Sequence, residues 1–243
     1  MTKHVSWSTS RKLLGIMKLE GGVQLDDVTV RYNRRLALDS VHGVFAPGSL
    51  TAVIGDNGAG KSTLLMAIAG AVRLARGAVN CPAKAQGRLA FLPQLAEFDR
   101  SFPLTVAELV ALGGWRSFGA FRAVPPTLRV RAAEAAARVG LVEQLHRRVS
   151  DLSEGEFRRA LFARVILQDA AVILLDEPFA AIDAATTMAL LNQLVLWNEE
   201  GRTVIAVLHD LTMVRARFPQ TLVLARRCLA WDTTEAALAT VAA

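Results

Sequence analysis

Apolar residues fall into two kinds of short run, and each kind predicts a different element. Val23–Tyr32 alternates through Val23, Leu25, Val28 and Val30, the pattern of a strand with one wet face. Residues 36–45 read as its partner, and Pro47-Gly48 as a turn. Leu50–Ile54 is a short apolar run, as expected of a strand buried on both faces. A glycine-rich loop and a helix over about 61–71 follow it, then a strand over 88–92 that ends at Pro93. From about 105 to 170 the pattern is helical and rich in alanine, leucine and arginine. Pro125-Pro126 breaks that stretch and 129–139 resumes it, so a helical subdomain is expected at about 100–165. Val172–Asp176 is again a buried-strand pattern, followed by Pro178 and a helix reaching about Asn198. Residues 203–208, 221–225 and 228–231 predict the last strands. Strands alternating with helices imply an α/β fold with a mostly parallel sheet, whose ligands sit at the carboxyl ends of the strands.

Composition narrows this picture. The 243 residues are 52% hydrophobic, enough for a sizeable core and against a disordered chain. The richest apolar run, 170–175, is far shorter than the ~20 residues a membrane helix needs. Residues 1–20 are basic and polar, lack a signal-peptide core, and read as a loose tail in which Met17 could be the start. Cys81 and Cys228 lie far apart in no metal-ligand spacing. The formal charge of +6 is dispersed and arginine-rich without a lysine run, which argues against nucleic acid and suits a surface near a membrane.

Residues 55–62, Gly55-Asp56-Asn57-Gly58-Ala59-Gly60-Lys61-Ser62, fit G-x-x-x-x-G-K-[ST] between a strand and a helix. The glycines let the backbone curl so that N–H groups face inward, and the helix N-terminus adds to a cradle for phosphates. Lys61 is expected to reach the β- and γ-phosphates of ATP. Ser62 is expected to offer its hydroxyl to Mg²⁺, and Thr63 to support the phosphates. The strand Val172–Asp176 ends in two acids, Asp176 and Glu177. Beside such a loop, Asp176 can hold Mg²⁺ through its water shell and Glu177 can act as general base on the attacking water.

With these motifs in place, residues 23–231 resemble the ATP-binding-cassette (ABC) ATPase family. The resemblance implies a P-loop NTPase core spanning 21–243, with an N-terminal antiparallel β subdomain and the inserted helical subdomain. It implies that Tyr32 stacks on adenine. It also implies that Gln94 in Phe91-Leu92-Pro93-Gln94 reaches Mg²⁺ and water, that His209 meets the γ-phosphate, and that the Ala181-Ile182-Asp183 loop crosses a dimer interface. Leu152-Ser153-Glu154-Gly155-Glu156 resembles the family signature L-S-G-G-Q, and Ser153 with Glu156 also forms a capping-box pattern. By resemblance, Ser153 and Gly155 meet ATP held by a second copy of the chain. Two departures stand out: Glu154 for glycine and Glu156 for glutamine. A carboxylate at 154 would repel a triphosphate unless it points away or pairs with an arginine, so retained, if slower, hydrolysis is expected.

The stretch 91–106 and the run 177–183 look like the zinc/manganese uptake branch of the family. That resemblance implies a divalent metal cargo, zinc before manganese. It implies integral membrane permease subunits as partners, a periplasmic metal-binding protein as an indirect one, and a peripheral position on the cytoplasmic face of the inner membrane. The alternatives are an exporter or lipoprotein-release ATPase of the same family, or a soluble ABC ATPase outside transport. The histidines His4, His42, His146 and His209 show no metal-site spacing of their own.

Overall fold

The apolar runs become the middle of a six-stranded sheet in the computed structural model, which describes residues 21–94, 100–119 and 122–242. The expected tail and residues 95–99 of the metal-branch stretch lie outside the described residues. In chain order the elements begin β1 Val23–Tyr32, β2 Arg35–Phe45, β3 Leu50–Ile54, α1 Lys61–Ala69, β4 Arg76–Asn80, α2 Pro82–Ala85 and β5 Leu89–Leu92. The helical stretch supplies α3 Val106–Ala111, α4 Trp115–Phe118, α5 Pro126–Arg138 and α6 Glu154–Gln168. The chain closes with β6 Val172–Asp176, α7 Ala184–Glu199, β7 Thr203–Val207, α8 Leu211–Arg217, β8 Gln220–Ala225, β9 Arg227–Thr233 and α9 Thr234–Ala242.

The large sheet has the order β5-β6-β7-β3-β8-β9, parallel except for the β8–β9 pair. Its faces explain the unbroken apolar runs. In β6, Ile173 and Leu175 join the core shared with α3, α5, α6 and α7, while Val172 and Leu174 join the core shared with α1, β1 and β2. Each neighbour points to the opposite face, and both faces are covered. A second, antiparallel sheet has the order β2-β1-β4 and is tied to the first where Trp231 of β9 packs against Phe45, ring centroids 4.4 Å apart.

The structure refines several expected boundaries. The alternation of β1 is interrupted by register shifts between Leu25 and Val28 and around Val30, with Asp27 at φ 49°, so Asp26 and Asp27 both face water. Helix α1 stops at Ala69 because Gly70 adopts a left-handed conformation; its N–H returns to the carbonyl of Ala67 and the N–H of Ala71 to that of Met66. Strand β4 and helices α2, α8 and α9 add to the predicted set.

Register sets up the site. Asp176 pairs with Val207, Val53 pairs with Val207, and Leu92 pairs with Leu175. The carboxyl ends of β5, β6, β7 and β3 therefore lie side by side, and the 55–62 loop, Gln94, Glu177 and His209 all follow strands at this edge, beside Asp176.

Candidate active site

The loop between β3 and α1 curls through Gly55, Gly58 and Gly60, all at positive φ. The curl is tight: a Cβ on Gly55 would collide with the carbonyl oxygen of Leu224. Helix α1 has no side-chain cap and no acid in its first turn, so its N-terminal dipole faces the loop uncompensated. The Lys61 ammonium crosses the loop and donates to the carbonyls of Gly55 (2.7 Å) and Asp56 (3.0 Å). Burial holds this ammonium below its ordinary pKa, against the pull of Glu177, Asp176 and Asp56. Thr63 is buried and Ser62 half-buried one turn into the helix. Tyr32 ends β1 half-exposed, paired with Arg35 across the hairpin. The Arg35 guanidinium reaches Gly58, which brings that hairpin to the phosphate loop.

Three strand ends supply the remaining groups. Asp176 is the buried last residue of β6. Glu177 follows it at φ 50°, a left-handed conformation that turns its side chain out of the strand direction. Its Oε1 lies 2.8 Å from Nε2 of His209, which follows β7. Burial pushes the Glu177 carboxyl up, but the hydrogen bond and charge of His209, the Gln94 amide and the Lys61 ammonium outweigh it, and the net shift is downward. Glu177 is thus held ionised, oriented by an imidazole and an amide, as a group must be to take a proton from water. A cleft of about 340 Å³ opens between residues 55–57 and His209.

Ser153 and Gly155 do not line that cleft. Ser153 caps α6, with the Glu156 N–H donating to its hydroxyl (3.2 Å) and the Glu156 carboxylate accepting from its N–H (2.8 Å). These bonds and Arg147 hold the Glu156 carboxyl below its ordinary value. Gly155 meets the loop after Glu177: a Cβ on it would lie 2.8 Å from the Ala181 carbonyl. Asp183 caps α7 by accepting from the Thr186 N–H at 2.9 Å.

Two arginines at the site carry no motif. Arg158 of α6 is buried and donates to the main-chain carbonyl of Glu177. Arg100 donates to the carbonyl of Leu152, just before Ser153, and lies over the Phe157 ring at 4.9 Å. The one sequence signal that marks Arg158 as buried is its helical stripe with Leu161, Phe162 and Val165.

A model of the ABC transporter family matches residues 38–180. The chain belongs to the ABC transporter family. It is an ATPase of that family. The zinc transport system ATP-binding protein TroB of Treponema pallidum (strain Nichols) is 39% identical over 212 residues, 86% of this chain and 80% of that protein. The manganese transport system ATP-binding protein MntB of Bacillus subtilis (strain 168) is 36% identical over 218 residues, 88% and 87% of the two chains. In fold, a dimeric bacterial ABC transporter cassette superposes with a TM-score of 0.77 at 24% identity, covering 87% of this chain and 98% of that one.

Proposed function

We propose that this chain is the ATP-hydrolysing subunit of an importer for a divalent transition metal, zinc first and manganese second. The observation that carries the ATPase mechanism is the convergence of residues 55–63, Asp176, Glu177, Gln94 and His209 on one sheet edge. The zinc and manganese transport names of the relatives support the cargo.

In this mechanism Tyr32 stacks on adenine and the phosphates rest on the loop N–H groups and the N-terminus of α1, with Lys61 turning from the loop carbonyls to the β- and γ-phosphates. Ser62, Gln94 and Asp176 offer hydroxyl, amide and carboxylate oxygens, the hard donors that suit Mg²⁺. These three residues would hold Mg²⁺, whose charge would offset that of the phosphates. Glu177 takes the proton of the attacking water, and His209 holds Glu177 and meets the γ-phosphate.

Ser153, Gly155 and Asp183 lie outside this cleft, and a second copy of the chain brings them to it. ATP is then sandwiched between the loop of one copy and Ser153 and Gly155 of the other. Closing that dimer moves the helical segment, the expected subdomain at about 100–165, against integral membrane permease subunits. A periplasmic metal-binding protein delivers the cargo to the permease. The chain then sits peripherally on the cytoplasmic face of the inner membrane, beside its permease; no helix among the described residues is long and apolar enough to cross a membrane. Cells lacking the chain should accumulate less zinc, and the wild-type gene but not its Glu177→Gln variant should restore uptake. Unchanged zinc and manganese contents would refute the cargo.

A further inference from the structure

Helix α6 carries a charge on its buried side. Arg158 is 4% exposed, among Leu161, Phe162 and Val165. Burying a guanidinium costs free energy unless it is paired and hydrogen-bonded. Arg158 is only partly satisfied: one Nη donates to the Glu177 carbonyl, while its buried Nε has no acceptor among the described residues. The charges around it are acidic: Glu154 one turn earlier, Glu177 and Asp176. The carbonyl it holds belongs to a residue at φ 50°, a conformation that a non-glycine residue keeps only when its surroundings enforce it. Four residues on, the same loop is touched again by α6, at Gly155 against Ala181.

We propose that Arg158 is a positioning residue for ATP hydrolysis, holding the Glu177 main chain from inside the signature helix, with Glu154 as its counter-charge. The proposal rests on Glu177 acting as the base. It gives the departure at 154 a reason: a glutamate four residues before an arginine is the favourable order on a helix. The pair acts by charge across one turn. Glu154 is exposed one turn before Arg158, and its charge offsets part of the guanidinium's at longer range than an ion pair, which weakens the pull of the guanidinium on the Glu177 and Asp176 carboxylates. Arg158 thereby fixes where the base stands, and Glu154 limits how hard it pulls.

The test is steady-state ATPase kinetics and thermal melting of the full chain. Removing one ion of a buried pair is costly when the other is left buried and unpaired, but here the counter-charge, Glu154, is exposed to water, and an apolar methionine side chain in place of Arg158 carries no desolvation penalty of its own. Arg158→Met should therefore melt no earlier than wild type and keep its KM for ATP within about twofold, while kcat falls at least about 10-fold, as misplacement of a reacting group does. Arg158→Lys should recover part of kcat. Glu154→Gln should lower kcat in the wild-type background and leave it unchanged in Arg158→Met. Near-normal kcat in Arg158→Met overturns the proposal. So does a kcat loss that tracks a lower melting point, or a variant that fails to fold, since either assigns the guanidinium to the fold. Equal effects of Glu154→Gln in both backgrounds overturn the pairing. Wild-type turnover that is lost in Glu177→Gln keeps the base assignment separate from all of these outcomes.

Discussion

Exchanging Glu177 for glutamine changes one charge and almost no volume. The Oε1 that now lies 2.8 Å from His209 Nε2 becomes an amide oxygen able to accept the same hydrogen bond, so the loop geometry survives. The amide cannot take a proton from water. General-base catalysis contributes about 10²–10⁴-fold, or roughly 3–5 kcal/mol of barrier, and kcat should fall by that factor. Binding should move the other way or not at all. Glu177 is one of the carboxylates whose charge is felt at Lys61, and removing it lessens repulsion of a triphosphate. Phosphate release at saturating ATP should therefore collapse, while ATP affinity equals or exceeds wild type and light scattering shows more closed dimer. A turnover within about threefold of wild type would remove Glu177 from its role, and a matching loss of affinity would mean that the change damaged the site instead.

Lys61→Ala removes the ammonium that spans the loop and should raise the ATP dissociation constant at least about 10-fold, since charge-assisted contacts to phosphate are the strong ones; unchanged affinity in a calorimetric titration would refute the cradle. Thr105→Ala breaks the capping box of α3 and should cost about 1 kcal/mol, or roughly 2–4 °C of melting temperature, near neutral pH. The two Thr105 hydrogen bonds hold the Glu108 carboxyl below its ordinary 4.5, so the stability they bring is present above that value and is lost as pH falls through the folded value. Melts compared near neutral and in acid should show the gap between wild type and Thr105→Ala narrowing in acid; a widening gap refutes the sign. Trp197→Ala removes a 2%-exposed ring stacked on Phe162 at 5.4 Å and should cost about 3–5 kcal/mol, lowering the melting temperature by roughly 6–20 °C. A drop under about 3 °C would show that the site collapses without loss.

The sequence was most informative where one signal dominated. β3 and β6 were legible to the residue because each is an almost wholly apolar run buried on both faces and stopped by a loop, at Gly55 after one and at Glu177-Pro178 after the other. β4 was not, because Arg76–Asn80 is almost wholly exposed and holds its place by pairing with β1, which leaves no apolar pattern. The residue 55–62 loop and the carboxylate pair were visible as motifs, since each fits a fixed spacing beside a strand end. What joins them was harder to see. The His209–Glu177 contact spans 32 positions of chain and depends on β6 lying beside β7, which no local pattern reports. Arg158 hid because an arginine in a helix usually marks the wet face; only its stripe with Leu161 and Phe162 argued otherwise. Glu154 posed a question in the sequence that its neighbour one turn along answers.

The cap on α6 has a further consequence for the identity of residue 153. Aspartate and asparagine cap helices as well as serine does. A carboxylate, however, has only lone pairs to offer, and would meet a phosphate with repulsion. The Ser153 hydroxyl spends one lone pair on the Glu156 N–H and keeps its own proton. That proton is free to swing toward an anionic oxygen without the helix losing its first bond. If residue 153 meets the phosphate as proposed above, anchoring a helix and greeting an anion with the same atom would narrow it to a hydroxyl: alanine would do neither task, aspartate only the first.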